Sequence, residues 1–191
     1  ASHEFHVLAD SGEDLIAFSS DGSYAANVEM VACPAAEIEN SSPTAEMIRV
    51  ATPDQHTIAE VCEFLNTVPS QCVKTLVVEA DGGGLVALVL RGDHELNAIK
   101  AQNLEAVAEP LRFAGADEIK AAVGCGPGSL GPVDITIPVI VDQAAAALVD
   151  FVCGANSEGF HLTGVNWARD VAGATVADLR NAVVGDTSPN G

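Results

Sequence analysis

The fold is decided by two apolar runs in the middle of the chain, Val73-Lys74-Thr75-Leu76-Val77-Val78 and Leu85-Val86-Ala87-Leu88-Val89-Leu90. Both runs are rich in Val and Leu, which favour extended backbone in a buried sheet. The segment between them contains three consecutive glycines at positions 82–84, which suit a tight turn. The two runs therefore predict a β-hairpin, and strand alternation puts Lys74, Leu76 and Val78 on one face of its first strand.

Helix and strand patterns continue on both sides of the hairpin. A helix over residues 57–65 is predicted because apolar residues recur there at helical spacing, namely Ile58, Val61, Cys62 and Leu65. After the hairpin, Asp93 is expected to cap a helix over residues 94–103, and a third helix is predicted over 117–123. Residues 135–141 predict a strand that Pro138 limits to an edge or a bulge. A short helix over 144–151 and a last strand over 160–167 complete the pattern.

The order of these elements indicates the fold class. Strands and helices intermix without a regular alternation, which predicts an α/β domain with a mixed sheet instead of a doubly wound parallel one. Residues 1–45 show no sustained period and are interpreted as a connector with short strands, for example over 5–8 and 15–18. Residues 124–132, the glycine loop, hold four glycines and two prolines and therefore cannot continue a helix.

The composition excludes several classes of protein. The 191 residues are 48% hydrophobic, which fits one domain with a sizeable core, and the longest apolar stretches are far too short to span a membrane. The 27 acidic and 8 basic residues give a net charge of −19, which argues against a free-standing nucleic-acid binder. Five widely spaced cysteines without a C-x-x-C pair predict neither a disulfide framework nor a zinc site. With no apolar signal segment before residue 30, these features predict a cytoplasmic protein.

Three features are candidates for chemistry, and each has a structural alternative. Lys74 is either a cation that meets a phosphate or carboxylate in a cleft, or a strand-edge lysine whose ammonium reaches water. The glycine loop either presents backbone N–H groups to an anion or oxyanion, or simply connects a helix to a strand. It has neither the P-loop order nor a nucleophile elbow. Asp142 and His161 lie at strand ends, where they either face a site or serve as a helix cap and a structural histidine.

Taken together, several of these stretches resemble the editing insertion domain of bacterial-type prolyl-tRNA synthetase, a relative of the free-standing YbaK-like aminoacyl-tRNA deacylases. They are residues 73–78, 85–97, 128–132 and 151–169. Residues 2–5 and 177–191 are similar to the synthetase segments that flank the insertion. The resemblance implies a connector over 1–45, an editing domain over 46–181 and a return segment over 182–191 of an excised insertion. The implied fold is a partly antiparallel, barrel-like mixed sheet with surrounding helices.

The resemblance also implies an activity, which is hydrolysis of the ester in Ala-tRNA(Pro). Alanine is smaller than proline, and one methylene changes binding by only about 1–3 kcal/mol, so a synthetic site needs a second sieve. The implied partners are the 3′ end of mischarged tRNA(Pro) and the rest of the synthetase chain, whose parent enzyme is a homodimer, with no membrane or DNA. The editing domain is expected to need no metal or cofactor, since ATP and Mg serve the synthetase catalytic domain.

Site residues follow by matching motif positions. The family's G-x-x-x-P loop corresponds to Gly128, Ser129, Leu130, Gly131 and Pro132, whose backbone N–H groups are expected to hold the aminoacyl carbonyl. Lys74 matches a lysine expected at the phosphate or ribose of the terminal adenosine. Asp142 and His161 match a polar pair near the substrate amine and ribose. Ile58 and Val61 match apolar positions that limit the pocket, with Val61 at a position where Leu is common.

The expected reaction and its alternatives follow from this set. No protein nucleophile emerges from it, so water is expected to attack, assisted by the terminal ribose hydroxyl. One alternative is a deacylase for Cys-tRNA(Pro) or another small aminoacyl-tRNA. Another is a non-catalytic module that only binds the tRNA end.

Overall fold

The computed structural model of the protein describes residues 15–34 and 42–188. These residues form the strands β1 (Ile16–Phe18), β2 (Ala25–Asn27), β3 (Ile48–Ala51), β4 (Val73–Glu79), β5 (Leu85–Arg91), β6 (Val139–Asp142), β7 (Phe151–Gly154), β8 (Phe160–Val165) and β9 (Thr175–Ala177). The helices are α1 (Ile58–Leu65), α2 (Ala98–Gln102), α3 (Ala116–Val123), α4 (Gln143–Ala146) and α5 (Trp167–Asp170), with one 3₁₀ turn over Pro69–Gln71. The predicted strand over 5–8, the flanking segment 2–5 and residues 189–191 of the return segment lie outside the described residues.

The predicted hairpin is confirmed. Strands β4 and β5 pair antiparallel along their whole length, from Val73 opposite Arg91 to Glu79 opposite Leu85. The turn between them is closed by a hydrogen bond from the N–H of Ala80 to the carbonyl of Gly84. All three turn glycines have positive φ, between 75° and 103°, a backbone conformation that glycine adopts without strain.

The prediction of mixed sheets is also confirmed. The larger sheet has the strand order β4-β5-β6-β9, in which β4 is antiparallel to β5 and the other two pairs are parallel. A second, antiparallel sheet has the order β3-β8-β7, and β1 and β2 form a small ribbon. An isolated bridge between Cys72 and Val152 joins the two main sheets at one corner. In the described residues the two main sheets do not close into a barrel.

The larger sheet is buried on both faces, which explains the unbroken apolar run in β5. One face packs against the second sheet through residues such as Val89, Phe151 and Leu162. The other face packs against α2 and the end of the chain, with Leu88 and Leu179 fully buried. Burying each such side chain stabilises the fold by about 1.5–3 kcal/mol. Within the described residues, no helix is long and apolar enough to cross a membrane.

Two of the three helices predicted around the hairpin are confirmed. Helix α1 begins after Thr57, whose side chain accepts a hydrogen bond from the N–H of Glu60, while Glu60 caps the Thr57 backbone in return. Helix α3 ends at Gly124 in a left-handed conformation. These helices start and stop on local signals, which the sequence displays directly.

The helix predicted over 94–103 is wrong in its beginning. Helix α2 covers only Ala98–Gln102, and its cap is Asn97, whose side chain accepts from the N–H of Lys100. Asp93 is instead paired with Arg91 at 2.7 Å. The intervening residues are held extended by a bridge between Leu96 and Arg180, a contact between distant parts of the chain.

The strand predicted over 135–141 is shorter and lies elsewhere in the sheet. Strand β6 begins after Pro138 and lies between β5 and β9, so it is neither an edge nor a bulge. Pro138 lies just before this strand, and its carbonyl still accepts a hydrogen bond from the N–H of Ala87.

The last two predicted elements each end early. The helix predicted over 144–151 stops at Ala146, and its predicted last residue, Phe151, is instead the first residue of β7. The strand predicted over 160–167 ends at Val165, and Trp167 begins α5.

Candidate functional site

A cavity of about 270 Å³ opens between α1, β4, the glycine loop and the β7–β8 hairpin. It is lined by most of the predicted site residues, namely Ile58, Val61, Lys74, Gly128, Leu130 and His161. His56 and Thr75 also line it, and none of the lining residues is Asp or Glu. In a chain of net charge −19, the lining is therefore the kind of surface that an anionic group can approach.

Lys74 reaches the cavity and is paired. Its Nζ lies 2.8 Å from Oε1 of Glu95, and the Lys74 side chain is 20% exposed while that of Glu95 is 79% exposed. The pair is half-exposed, since water surrounds Glu95 but only the end of Lys74, and solvent screening at Glu95 weakens the attraction between the two charges. An anionic group that entered the cavity would compete with Glu95 for Lys74.

His161 is held by a residue that the sequence analysis missed. Its Nδ1 lies 2.7 Å from Oγ1 of Thr52, which is fully buried. The antiparallel pairing of β3 with β8 brings the two together, since it places Val50 opposite His161. Burial, and then the nearby His56, lower the pKa of His161, so its imidazole is neutral at neutral pH. A neutral ring orients partners by hydrogen bonding and does not act as a fixed cation.

His56 was also missed, although it precedes the cap of α1. A Cβ built on Gly128, whose φ is +104°, would lie 3.1 Å from the imidazole Nδ1 of His56. His56 therefore packs against the glycine loop beside the cavity, and a side chain at position 128 would need both a strained backbone and a small shift of this imidazole.

Only part of the G-x-x-x-P stretch can donate hydrogen bonds to a ligand. Pro132 has no N–H, and the N–H of Gly131 already donates to Oδ1 of Asn156 at 2.9 Å. Within residues 15–34 and 42–188, the N–H groups of Gly128, Ser129 and Leu130 have no acceptor. Of the five residues expected to hold a carbonyl, three consecutive ones therefore keep an N–H group without an acceptor among the described residues.

A family model described as the aminoacyl-tRNA editing domain matches residues 52–171, a span that runs from Thr52 past His161. The chain belongs to the aminoacyl-tRNA editing domain family.

Solved structures share the fold of this editing domain. One is a protein described only as hypothetical, 27% identical, with a TM-score of 0.61 over 71% of this chain and 92% of that one. Another is described as a candidate trans-editing enzyme for prolyl-tRNA synthetase, 22% identical, with a TM-score of 0.61 over 71% of this chain and 87% of that one. A third, from work on grafting epitopes onto scaffold proteins, is also 22% identical with a TM-score of 0.61, over 71% of this chain and 88% of that one.

Asp142 does not reach the cavity of the editing domain. It is 1% exposed, and its two carboxylate oxygens accept the N–H groups of Ala144 and Leu179 at 3.0 and 2.9 Å. It therefore caps α4 and ties the end of β6 to the segment after β9. These contacts fit the predicted role of a helix cap. They do not fit the predicted role near a substrate amine.

The cysteines of the editing domain are all buried and free, and two of them line the cavity. Burial, and then a hydrogen bond with Cys62 and the charge of that thiol, raise the pKa of the Cys72 thiol to about 12. Burial likewise raises the pKa of Cys153. Because the thiolate is the nucleophilic form, neither thiol is prepared to attack an ester. The described residues also contain no group of three side chains able to hold a metal ion.

Proposed function

We propose that this editing domain hydrolyses the ester bond of alanine mischarged onto tRNA(Pro). Membership of the editing family gives the reaction class, which is aminoacyl-tRNA deacylation. The observation that carries the finer proposal is the cavity, which joins Lys74, His161 and the loop residues Gly128 and Leu130 to an apolar wall containing Ile58 and Val61. Among the described residues, the N–H groups of Gly128 and Leu130 have no acceptor. Such a wall leaves room for a small side chain and disfavours a larger one.

In the proposed reaction, water attacks the carbonyl carbon of the aminoacyl ester. The N–H groups of Gly128, Ser129 and Leu130 stabilise the negative charge that develops on the carbonyl oxygen. The C–O ester bond then breaks, and the ribose oxygen leaves with a proton as a hydroxyl. Lys74 binds the terminal phosphate or ribose, and neutral His161 orients the ribose hydroxyl that assists the water. The step uses no cofactor and no covalent intermediate.

We further propose that the domain acts in the cytoplasm as an insertion in prolyl-tRNA synthetase, whose other domains supply tRNA affinity. A free-standing role is the second candidate. It is favoured by the shared fold of the structure described as a candidate trans-editing enzyme for prolyl-tRNA synthetase.

The test is hydrolysis of alanyl-, cysteinyl- and prolyl-tRNA, each on tRNA(Pro), by the chain and its Lys74→Ala variant at matched salt. We expect selective loss of alanine by the wild type, and at least about a tenfold slower reaction in Lys74→Ala because a phosphate contact is lost. Lys120→Ala, a change of the same kind on α3, is the control and should react like the wild type.

Each other outcome points elsewhere. Selective loss of cysteine would indicate a cysteinyl-tRNA deacylase, and no loss of any ester would indicate a binding module. Turnover unchanged in Lys74→Ala would remove Lys74 from the mechanism.

A further inference from the structure

Asn156 lies in the turn between β7 and β8 and makes four hydrogen bonds to residues 129–133. Its Oδ1 accepts the N–H of Gly131 at 2.9 Å, and its Nδ2 donates to the carbonyls of Gly131 at 3.0 Å and Val133 at 2.8 Å. Its backbone N–H donates to the carbonyl of Ser129 at 2.9 Å. One residue of the hairpin thus fixes the backbone that follows the three unpaired amides.

The position of Asn156 is itself fixed. Its φ is +49°, a left-handed conformation in which Asn is among the better tolerated residues. The N–H of Ala155 donates to the carbonyl of Phe160, which closes the turn on both sides of it. Next to it, the glycine loop and β7 approach closely. A Cβ on Gly131 would overlap the carbonyl of Gly154, and a Cβ on Gly154 would overlap the backbone of the loop. The hairpin and the loop therefore form one rigid unit.

We propose that Asn156 is the positioning residue for the oxyanion-binding loop, an inference that rests on the proposed deacylase function. By occupying the N–H of Gly131 it removes that group from the set of donors and leaves the three preceding amides for the substrate carbonyl. Preorganised donors stabilise a developing charge only where they are held in place beforehand. Asn156 supplies that fixed frame without touching the substrate.

Both halves of the amide are needed for this role. Aspartate has the same shape and can still accept from the N–H of Gly131, but it cannot donate to the carbonyls of Gly131 and Val133. Two carbonyl oxygens would then face a carboxylate, and the loop would shift away from it. A shift of the donors lowers the stabilisation of the transition state and leaves the walls that bind the ground state intact.

The experiment is steady-state hydrolysis of alanyl-tRNA(Pro) by the wild type, Asn156→Asp and the control Asn103→Asp. Loss of a single oxyanion donor lowers kcat by about 100–1,000-fold, so misplacement of the loop should lower it by about 10–100-fold. We expect KM to stay within about threefold, because Lys74 and the apolar wall are unchanged. Asn103 is exposed at the end of α2, so its variant should match the wild type.

A second measurement does not depend on catalysis or on the folding of a variant. Amide hydrogen exchange of the wild-type chain should show Gly131 protected at least about tenfold more than Gly128, since only Gly131 has an acceptor. Equal exchange at the two glycines, or a folded Asn156→Asp variant with wild-type kcat, would overturn the role of Asn156. A wild type that hydrolyses no ester while Gly131 is protected would instead count against the proposed deacylase function.

Discussion

At the scale of single residues, the site depends on side chains whose ionisation is set by burial. His161 is 5% exposed and hydrogen-bonded to buried Thr52, and its lowered pKa keeps the imidazole neutral. His94, just after β5, is also buried, and burial followed by the nearby arginines lowers its pKa. Both histidines therefore take up a proton more readily in the unfolded chain than in the folded one.

This difference predicts a loss of stability on mild acidification. The unfolded histidines titrate near pH 6.5 and the folded ones below it, so stability is full above about pH 6.5 and falls as the pH drops toward the folded values. Carboxylates with lowered pKa, such as Asp186, act in a more acidic range, below about pH 4. Denaturant unfolding at intervals between pH 7.5 and 5 should show the loss.

The matched variant is His161→Asn, which keeps a polar atom near the position of Nδ1 and removes the titration. Its stability should decline less steeply than that of the wild type over the same pH range. An identical decline in both proteins would mean that His161 does not contribute to the pH dependence.

At the scale of elements, the close contact between the glycine loop and β7 leaves no room for side chains. A Cβ on Gly154, in β7, would overlap the backbone of Ser129 and Leu130. A Cβ on Gly126, in the glycine loop, would meet no atom within 4 Å. Neither glycine has a positive φ, so only the available space distinguishes them.

Gly154→Ala should therefore destabilise the fold, and Gly126→Ala should not. Overpacking against rigid backbone costs about 3 kcal/mol, which lowers Tm by roughly 6–12 °C for a chain of this size. Gly126→Ala should stay within about 0.5 kcal/mol of the wild type. Thermal unfolding of both variants measures the difference, and equal Tm values would contradict the contact between loop and strand.

The same elements show which features the sequence can predict. The hairpin, α1 and α3 follow from local signals, namely alternation, a capping box and a terminal glycine. The start of α2 has a local signal in the cap Asn97, which the sequence analysis missed in favour of Asp93. The sequence does not show the bridge between Leu96 and Arg180, a contact between distant parts of the chain. For the same reason, nothing local to Thr52 or Asn156 indicates a bond to His161 or to Gly131. Asp142 was predicted as a site residue from its place at a strand end and from its match to a family position, and neither shows that its carboxylate is used inside the fold.

At the scale of the whole molecule, charge opposes the proposed substrate. The chain carries a net charge of −19, while the cavity lining holds Lys74 and two histidines and no carboxylate. Long-range repulsion therefore acts on the body of a tRNA, whereas Lys74 attracts a phosphate of its 3′ end only in competition with Glu95. Affinity in a larger enzyme would come from other domains through effective concentration.

The isolated chain should consequently bind tRNA weakly. Non-specific protein–nucleic acid binding has a Kd of about 1–100 μM at physiological salt, and a net acidic chain should lie at or beyond the weak end of that range. Fluorescence anisotropy with labelled tRNA(Pro) at physiological ionic strength measures it. A Kd near 1 μM or below would show that a binding surface outside the cavity overcomes the net charge.

The three-glycine turn of the central hairpin has a practical consequence for such measurements. It follows the end of β4 that is opposite Lys74, about 17 Å along the strand at the usual rise per residue. A Cβ added at any of positions 82–84 would meet no atom within 4 Å. Lengthening an exposed loop is cheap, about 0.6 kcal/mol for each doubling. A peptide tag or fluorophore inserted there would be anchored to the central hairpin while leaving the cavity open to an incoming tRNA end.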